Sequence, residues 1–485
     1  MDAIRRTDQV LGTDPRFGDP AAIRARTMAR YRLGLTMLAR RHPDAGTALA
    51  DLARREDAQL IAMLLDPVLA NAFEDDMARL ETGTGGGSSL GHLLAAGAGT
   101  GPGGPSAAVA GHPRPLWPER GPAWLWFDPD AASDGPVAAR LRHLYGQTFP
   151  GGTATPVPAT DALHEAVRRG ADLLTALLPG AGGGVLPHVG LVGFARGGSD
   201  EEQLYSVSGG DPLPSAIFLA PEQLDDPWLA AELLLHEGLH LKLFDVVRSG
   251  ALVADTDRQV PIPWRTGSWT LVRVVFALHV YAHLVLFRAA AVAAGADLRE
   301  EYGPPPVDDT VDEPTPGSPA AARGTHLTTL ERATYLAEQA GAAHADGLTP
   351  DGRRFVGWLV DAVAALAPTI RPRGAAHRPA AAPRDVRPLA GGYRRVEPAV
   401  ACLLPEQGRL LVMTDEQPRA RWLNGHAWLL YALCDGRDTA AIERGYRTAL
   451  PGTVPAATAA AHLRDGLADL VECGLVTATP HPSTP

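Results

Sequence analysis

The chain has 485 residues, 45% of them hydrophobic and 20% charged, enough for several domains and at least one substantial core. Its formal net charge of −11 lacks the clustered positive field that a general nucleic-acid binder or an anionic-membrane binder needs. No secretory signal and no apolar run near the roughly 20 residues that span a bilayer stand out, so a cytoplasmic protein is expected. Lys242 is the sole lysine. Cys402, Cys434 and Cys473, odd in number and flanked by apolar residues, read as buried thiols rather than a disulfide framework.

In chain order, residues 20–80 carry helical patterning, as in 22–31 and 58–65. From Gly83 to Pro115 the chain is dominated by Gly, Ala, Ser and Pro and reads as a linker without the apolar content to order itself. A helix is predicted over 161–178, then short strands at 189–194, 203–208 and 215–220, separated by Gly, Asp and Pro turns. Asp225-Asp-Pro-Trp opens a long apolar helix reaching about Val247, with proline in the favourable first turn. A second apolar helix is predicted from Thr270 to Ala294, a Pro- and acid-rich loop over 303–324, and helices over 327–345 and 351–366. After a Pro/Arg/Ala stretch, three apolar strand-like runs (399–404, 409–413, 420–423) and three helical ones (424–434, 438–449, 456–473) suggest a β3α3 module. The expected class is mainly α (α+β), with a helical domain carrying short strands and a small winged-helix-like C-terminal module. The divisions are a helical segment 1–82, a linker 83–115, a metal-binding domain 116–368, a linker 369–390 and a module 391–480.

The chemistry centres on Leu233-Leu-Leu-His-Glu-Gly-Leu-His-Leu-Lys-Leu243. His236 and His240 lie one helical turn apart on one face and can grip one ion, with Glu237 beside them to reach a metal-bound water. Burying these polar groups among leucines costs several kcal/mol each, roughly, unless something like a metal offsets it. The bland alternative is a chance five-residue match. Position 246, where a metzincin has its third histidine, is Val246. Glu300 and Glu301, the nearest carboxylates for a gluzincin pattern, fall at a helix end beside a loop. The second apolar helix offers His279 and His283, again on one face; His279 is the favoured third ligand, and His283 a substitute or a supporting group. Three histidines with open positions suit zinc and its water or a non-haem iron. Arg265, between the helices, is a fork suited to a carboxylate co-substrate, or else an ordinary surface arginine.

This HExxH, followed by a proline-led stretch ending in Arg265 and an apolar helix with Leu278-His279, resembles the HEXXH-motif peptide-modification proteins over about 190–365. Leu330-Glu-Arg-Ala-Thr-Tyr-Leu336 and Leu348-Thr-Pro-Asp-Gly352 extend the resemblance. It implies an iron(II)- and 2-oxoglutarate-dependent β-hydroxylase acting on a ribosomally made precursor peptide. His236, His240 and His279 would hold iron, Glu237 would orient ligands or water, and Arg265 would hold the 2-oxoglutarate carboxylate. The sequence departs at Val280, where that family usually has glycine, and 1–82 matches nothing in it.

Arg421-Trp-Leu-Asn424, Ala427 through Thr439 with Asp435-Gly436, and Leu467 through Val476 resemble a PqqD-like peptide-recognition element. That resemblance implies that a leader peptide adds a strand at 419–423, with Arg419, Arg421, Trp422 and Leu423 contacting it beside the 456–473 helix. The partner is then a precursor peptide, leader and core, with neither nucleic acid nor membrane; the oligomeric state is open, a homodimer included. The competing expectations are a zinc peptidase that cleaves a leader with Glu237 as general base, and a scaffold that only delivers peptides.

Overall fold

The computed structural model describes residues 2–96, 114–117, 119, 123–125, 136–149, 153–197, 206–265, 267–305, 328–368, 391–398, 400–404, 409–413, 421–449, 463–464, 466–468, 470–471 and 474–479. The fold is mainly helical with small sheets, and the chain divides into two compact units. The first unit comprises 1–258, 270–309 and 329–370; the second comprises 259–269, 310–328 and 371–485.

The first unit opens with α1 (Asp2–Thr13), α2 (Pro20–Arg41), α3 (Pro43–Ala53), α4 (Asp57–Leu64) and α5 (Pro67–Thr82). Local chemistry sets their ends. Asp19 and Asp66 cap α2 and α5 ahead of a proline in the first turn, and Gly83, at φ 68°, closes α5 in the left-handed conformation that glycine tolerates. Part of the expected linker is a helix. Ser88 caps α6 (Ser89–Ala95) and donates to Asp76 at 2.6 Å, while Leu90 and Leu93 are buried. One capped turn with two leucines outweighs the Gly-rich composition around it.

A sheet follows, built from β1 (Arg114–Pro115), β2 (Trp124–Leu125), β3 (Ala154–Val157), β4 (Leu191–Gly197), β5 (Ser206–Ser208) and β6 (Ala216–Leu219), with α7 (Pro136–Thr148) and α8 (Asp161–Leu177) between them. The order is β1-β2-β4-β6-β5. β4 runs parallel to β2 and β6, and its far half pairs antiparallel with β3; β5 closes the edge antiparallel to β6. β6 is buried throughout and β4 nearly so, the pattern of strands covered on both faces. Residues 1–82, set apart on sequence, share this core: Tyr31, Leu35, Val68 and Phe73 join one cluster with Leu191 and Phe218.

The unit is completed by α9 (Pro227–Ser249), α10 (Leu271–Val292), α11 (Ala296–Tyr302), α12 (Thr329–Glu338) and α13 (Pro350–Leu366). α10 is long and apolar enough by composition to cross a membrane, which a search for unbroken apolar runs overlooks, yet 78% of its apolar window is buried inside the fold. The helix expected over 327–345 stops at Glu338 and continues as a wide turn, Gln339–Ala343, around Gly341.

β7 (Gln259–Pro261) and β8 (Ser268–Thr270), which lie in the second unit except for Thr270, pair with each other. Among the described residues the C-terminal part has six strands rather than the three expected. β10 (Val400–Leu404), β11 (Arg409–Met413) and β12 (Arg421–Asn424) form an antiparallel meander, and β13 (Asp435–Asp438), β9 (Gly392–Arg395) and β14 (Val476–Thr479) form a second sheet. These extra strands are short and largely exposed on β13 and β14, so no apolar alternation announces them. α14 (Gly425–Leu433) and α15 (Thr439–Ala449) cover a core of Val412, Leu423, Leu430, Ile442 and Tyr446. Leu463, Leu467 and Leu470, from the third predicted helical stretch, enter the same core at helical spacing. Cys434 is buried and free, and burial pushes its thiol up to about 12.

Candidate metal centre

The Asp226 carboxylate accepts from the Trp228 amide at 2.8 Å and Pro227 occupies the first turn, so α9 starts where the Asp-Pro signal predicts. α9 packs closely on its surroundings at Gly238, inside the HExxH itself. A Cβ there would stand 2.8 Å from the Val185 side chain, so only glycine lets the helix approach this near.

His236 and His240 present their rings on one face, with centroids 5.2 Å apart and planes at 57°. The His236 side chain is 39% exposed, so this end of the site opens to solvent. Burial pulls the His240 pKa down to about 4, with Glu237 opposing and His236 adding to the fall. At neutral pH the ring is uncharged and keeps a lone pair for an ion. Glu237 is buried, 4.0 Å from His236 Nε2. The Ser206 hydroxyl on β5 donates to Glu237 Oε1 at 2.6 Å. No spacing rule reaches Ser206 from the HExxH; the two meet only because the edge strand packs on α9.

His279 and His283 are fully buried on α10. Their rings stand 4.6 Å apart, and His279 also meets Phe355 at 5.5 Å and stacks on Trp358 at 6.4 Å. His283 Nδ1 donates to the His279 carbonyl at 2.8 Å, and among the described residues neither His283 Nε2 nor His279 Nδ1 has a partner. Burial holds His279 well below the usual imidazole range, with His283, Lys242 and His240 adding to the effect; burial and Lys242 bring His283 to about 3. The structure thus joins His236, Glu237 and His240 but leaves the α10 pair against the aromatic rings of α13. Among the described residues no three His, Cys, Asp or Glu side chains stand close enough to hold one ion. Helical spacing fixes which side chains share a face; the depth to which α10 sinks beside α9 is a matter of packing.

The donor set fits a divalent ion in part: two imidazoles on one face are a two-point grip, and ring nitrogens without a partner among the described residues lie on the neighbouring helix. Arg265 is exposed and belongs to the second unit. Lys242, two residues after His240, is fully buried with no hydrogen-bond partner for Nζ among the described residues, and burial lowers its pKa to about 8. In the second unit β12 lies at the end of the sheet among the described strands, its ladder to β11 pairing Leu410 with Leu423 and Val412 with Arg421. Leu423 is buried, whereas Arg419 lies outside the described residues. No protein-family model matches the chain, and no curated protein matches it.

Proposed function

We infer that the chain is an iron(II)- and 2-oxoglutarate-dependent oxygenase that hydroxylates a β-carbon in a ribosomally made precursor peptide. The observation that carries this reading is the HExxH face of α9, with two imidazoles 5.2 Å apart around a buried carboxylate. His236 and His240 would hold the ion, and His279 is proposed as the third ligand. When bound, iron(II) supplies oxygen activation at the expense of 2-oxoglutarate, which leaves as succinate and carbon dioxide. Glu237, tethered through one oxygen by Ser206, has no side-chain partner on the other among the described residues, and would orient a water or co-substrate by hydrogen bonding. Arg265 is proposed to hold the distal carboxylate of 2-oxoglutarate.

The C-terminal module is read as a PqqD-like leader-binding element. Its support is β12, whose outer edge pairs with no described strand and would take an added peptide strand. Tethering the leader raises the local concentration of the core peptide, so the site itself need not bind it tightly.

The second reading is a zinc peptidase. It draws on the 4.0 Å approach of Glu237 to His236, where a carboxylate could take a proton from a metal-bound water. Protein purified anaerobically with iron(II) and given 2-oxoglutarate and a precursor peptide distinguishes the two. A gain of one oxygen in the peptide mass, lost in His236→Ala, supports the oxygenase; a shortened peptide supports the peptidase. An unchanged peptide in every preparation would leave peptide delivery without chemistry.

A further inference from the structure

A second polar site lies on α9 beyond the HExxH. His188, in the 186–188 turn before β4, is fully buried, and its Nδ1 stands 2.7 Å from Asp245 Oδ2. The carboxylate accepts, so Nδ1 carries the hydrogen. Burial lowers the His188 pKa despite Asp245, so the ring is neutral and Nε2 presents a lone pair. That nitrogen is buried and meets no partner among the described residues. A buried polar atom of this kind marks either unfilled stabilisation or a ligand.

His188 lines a cavity with Arg24, Arg248, Asp245, Tyr31 and Ser215. The Arg24 guanidinium on α2 is partly buried and makes no hydrogen bond among the described residues; Asp245 acts on it only through charge. Arg248 reaches Asp245 at 3.4 Å and Glu74 at 3.6 Å, longer than a close ion pair. Glu74 is already engaged by Arg30 at 2.6 and 2.7 Å. Of the charged side chains that line the cavity, two guanidiniums, Arg24 and Arg248, face one carboxylate, Asp245, while Glu74 and Asp211 act on Arg248 from outside the lining. In the wall, Ser215 holds φ 64° while its hydroxyl donates to the Leu65 carbonyl at 2.7 Å.

The cavity measures about 30 Å³, against roughly 10–15 Å³ for one water on the same measure. Its charged donors are two guanidiniums, and among the described side chains that line it the unsatisfied acceptor is an imidazole lone pair. We propose that this cavity binds a small oxyanion that keeps one O–H, its charged oxygens toward Arg24 and Arg248 and its O–H donating to His188 Nε2. Bicarbonate and hydrogen phosphate share that chemistry. The small volume favours the planar, four-atom bicarbonate. The site is independent of the metal reading, although Asp245 and Arg248 share a helix with His236 and His240.

Calorimetric titration of the full chain with bicarbonate, inorganic phosphate and formate, at constant ionic strength, tests this. Saturable binding is expected for bicarbonate, more weakly for phosphate, and at least tenfold more weakly for formate, which has no O–H. Arg24→Gln should weaken bicarbonate at least tenfold, and Arg24→Lys less. Phosphate binding tighter than bicarbonate, with the same dependence on Arg24, would keep the site and reassign its occupant. Equal binding of formate, unchanged binding in Arg24→Gln, or no saturable binding of any of the three would overturn the proposal. Arg26→Gln, on the same helix but outside the cavity lining, is expected to bind as the wild type does and controls for surface charge.

Discussion

The Ser206 hydroxyl on the sheet edge holds the Glu237 carboxylate on α9 at 2.6 Å, so the strand and the HExxH helix are coupled through one hydrogen bond. Hydrogen bonds to charged groups contribute about 1.5–3 kcal/mol, and Glu237 is too buried to recover that from water. Ser206→Ala is therefore expected to lower unfolding free energy by about that amount in urea and to slow turnover. Ser206→Thr keeps the hydroxyl and should restore much of both. An alanine variant as stable and active as the parent would show that the bond contributes nothing.

Lys242 leads to a second prediction. Burial lowers its pKa from 10.5 to about 8, so the folded state releases the proton more readily than the unfolded chain. Between those values the unfolded state binds more protons, and stability rises with pH; below about 8 the full cost of burying the charge is present. That cost is on the order of 3 kcal/mol. Lys242→Met should raise the melting temperature at pH 7 and flatten the rise between pH 8 and 10. As the only lysine, it should also resist amine-reactive reagents in the native protein and react on unfolding.

The buried histidines give the opposite limb. His188, His240, His279 and His283 all have folded pKa values below the unfolded 6.5. Their stability contribution is full above pH 6.5 and is lost as pH falls toward the folded values, about 4 for His240 and about 3 for His283. Each adds about 1.4 kcal/mol per pH unit while only its unfolded form is protonated. Metal-free protein should therefore lose stability steeply from pH 6 to 4.5 in denaturant titrations. A flat profile would place these rings in contact with water.

Metal uptake separates the two α10 histidines. His236→Ala and His240→Ala should each abolish stoichiometric binding of iron(II) or zinc by the purified chain. His279→Ala should weaken it by at least tenfold, whereas His283→Gln should not. The reverse ranking would make His283 the ligand.

Much of this architecture is legible in the sequence. The Asp-Pro start of α9, the apolar run of α10 and the Thr-Pro start of α13 set these helices within a few residues of their observed ends. α6 was hidden because composition averages over a Gly-rich stretch, whereas order there depends on one serine cap and two leucines. β13 was hidden because Asp435 through Asp438 carry no apolar residue, and Gly436 takes φ 96°. Within the site, spacing yields the His236–His240 pair because a helix has a fixed period. Ser206, Arg24 and His188 come from elements far apart in the chain, and no local pattern records that they pack on α9.

The most direct test of the central claim follows the origin of the oxygen. The chain is loaded with iron(II) and given 2-oxoglutarate, a precursor peptide and isotopically heavy oxygen gas. The oxygenase account predicts one heavy oxygen atom in an otherwise intact peptide, with one succinate formed per hydroxylation. A shortened peptide whose new terminus carries oxygen from the solvent would contradict it and make the HExxH helix that of a peptidase.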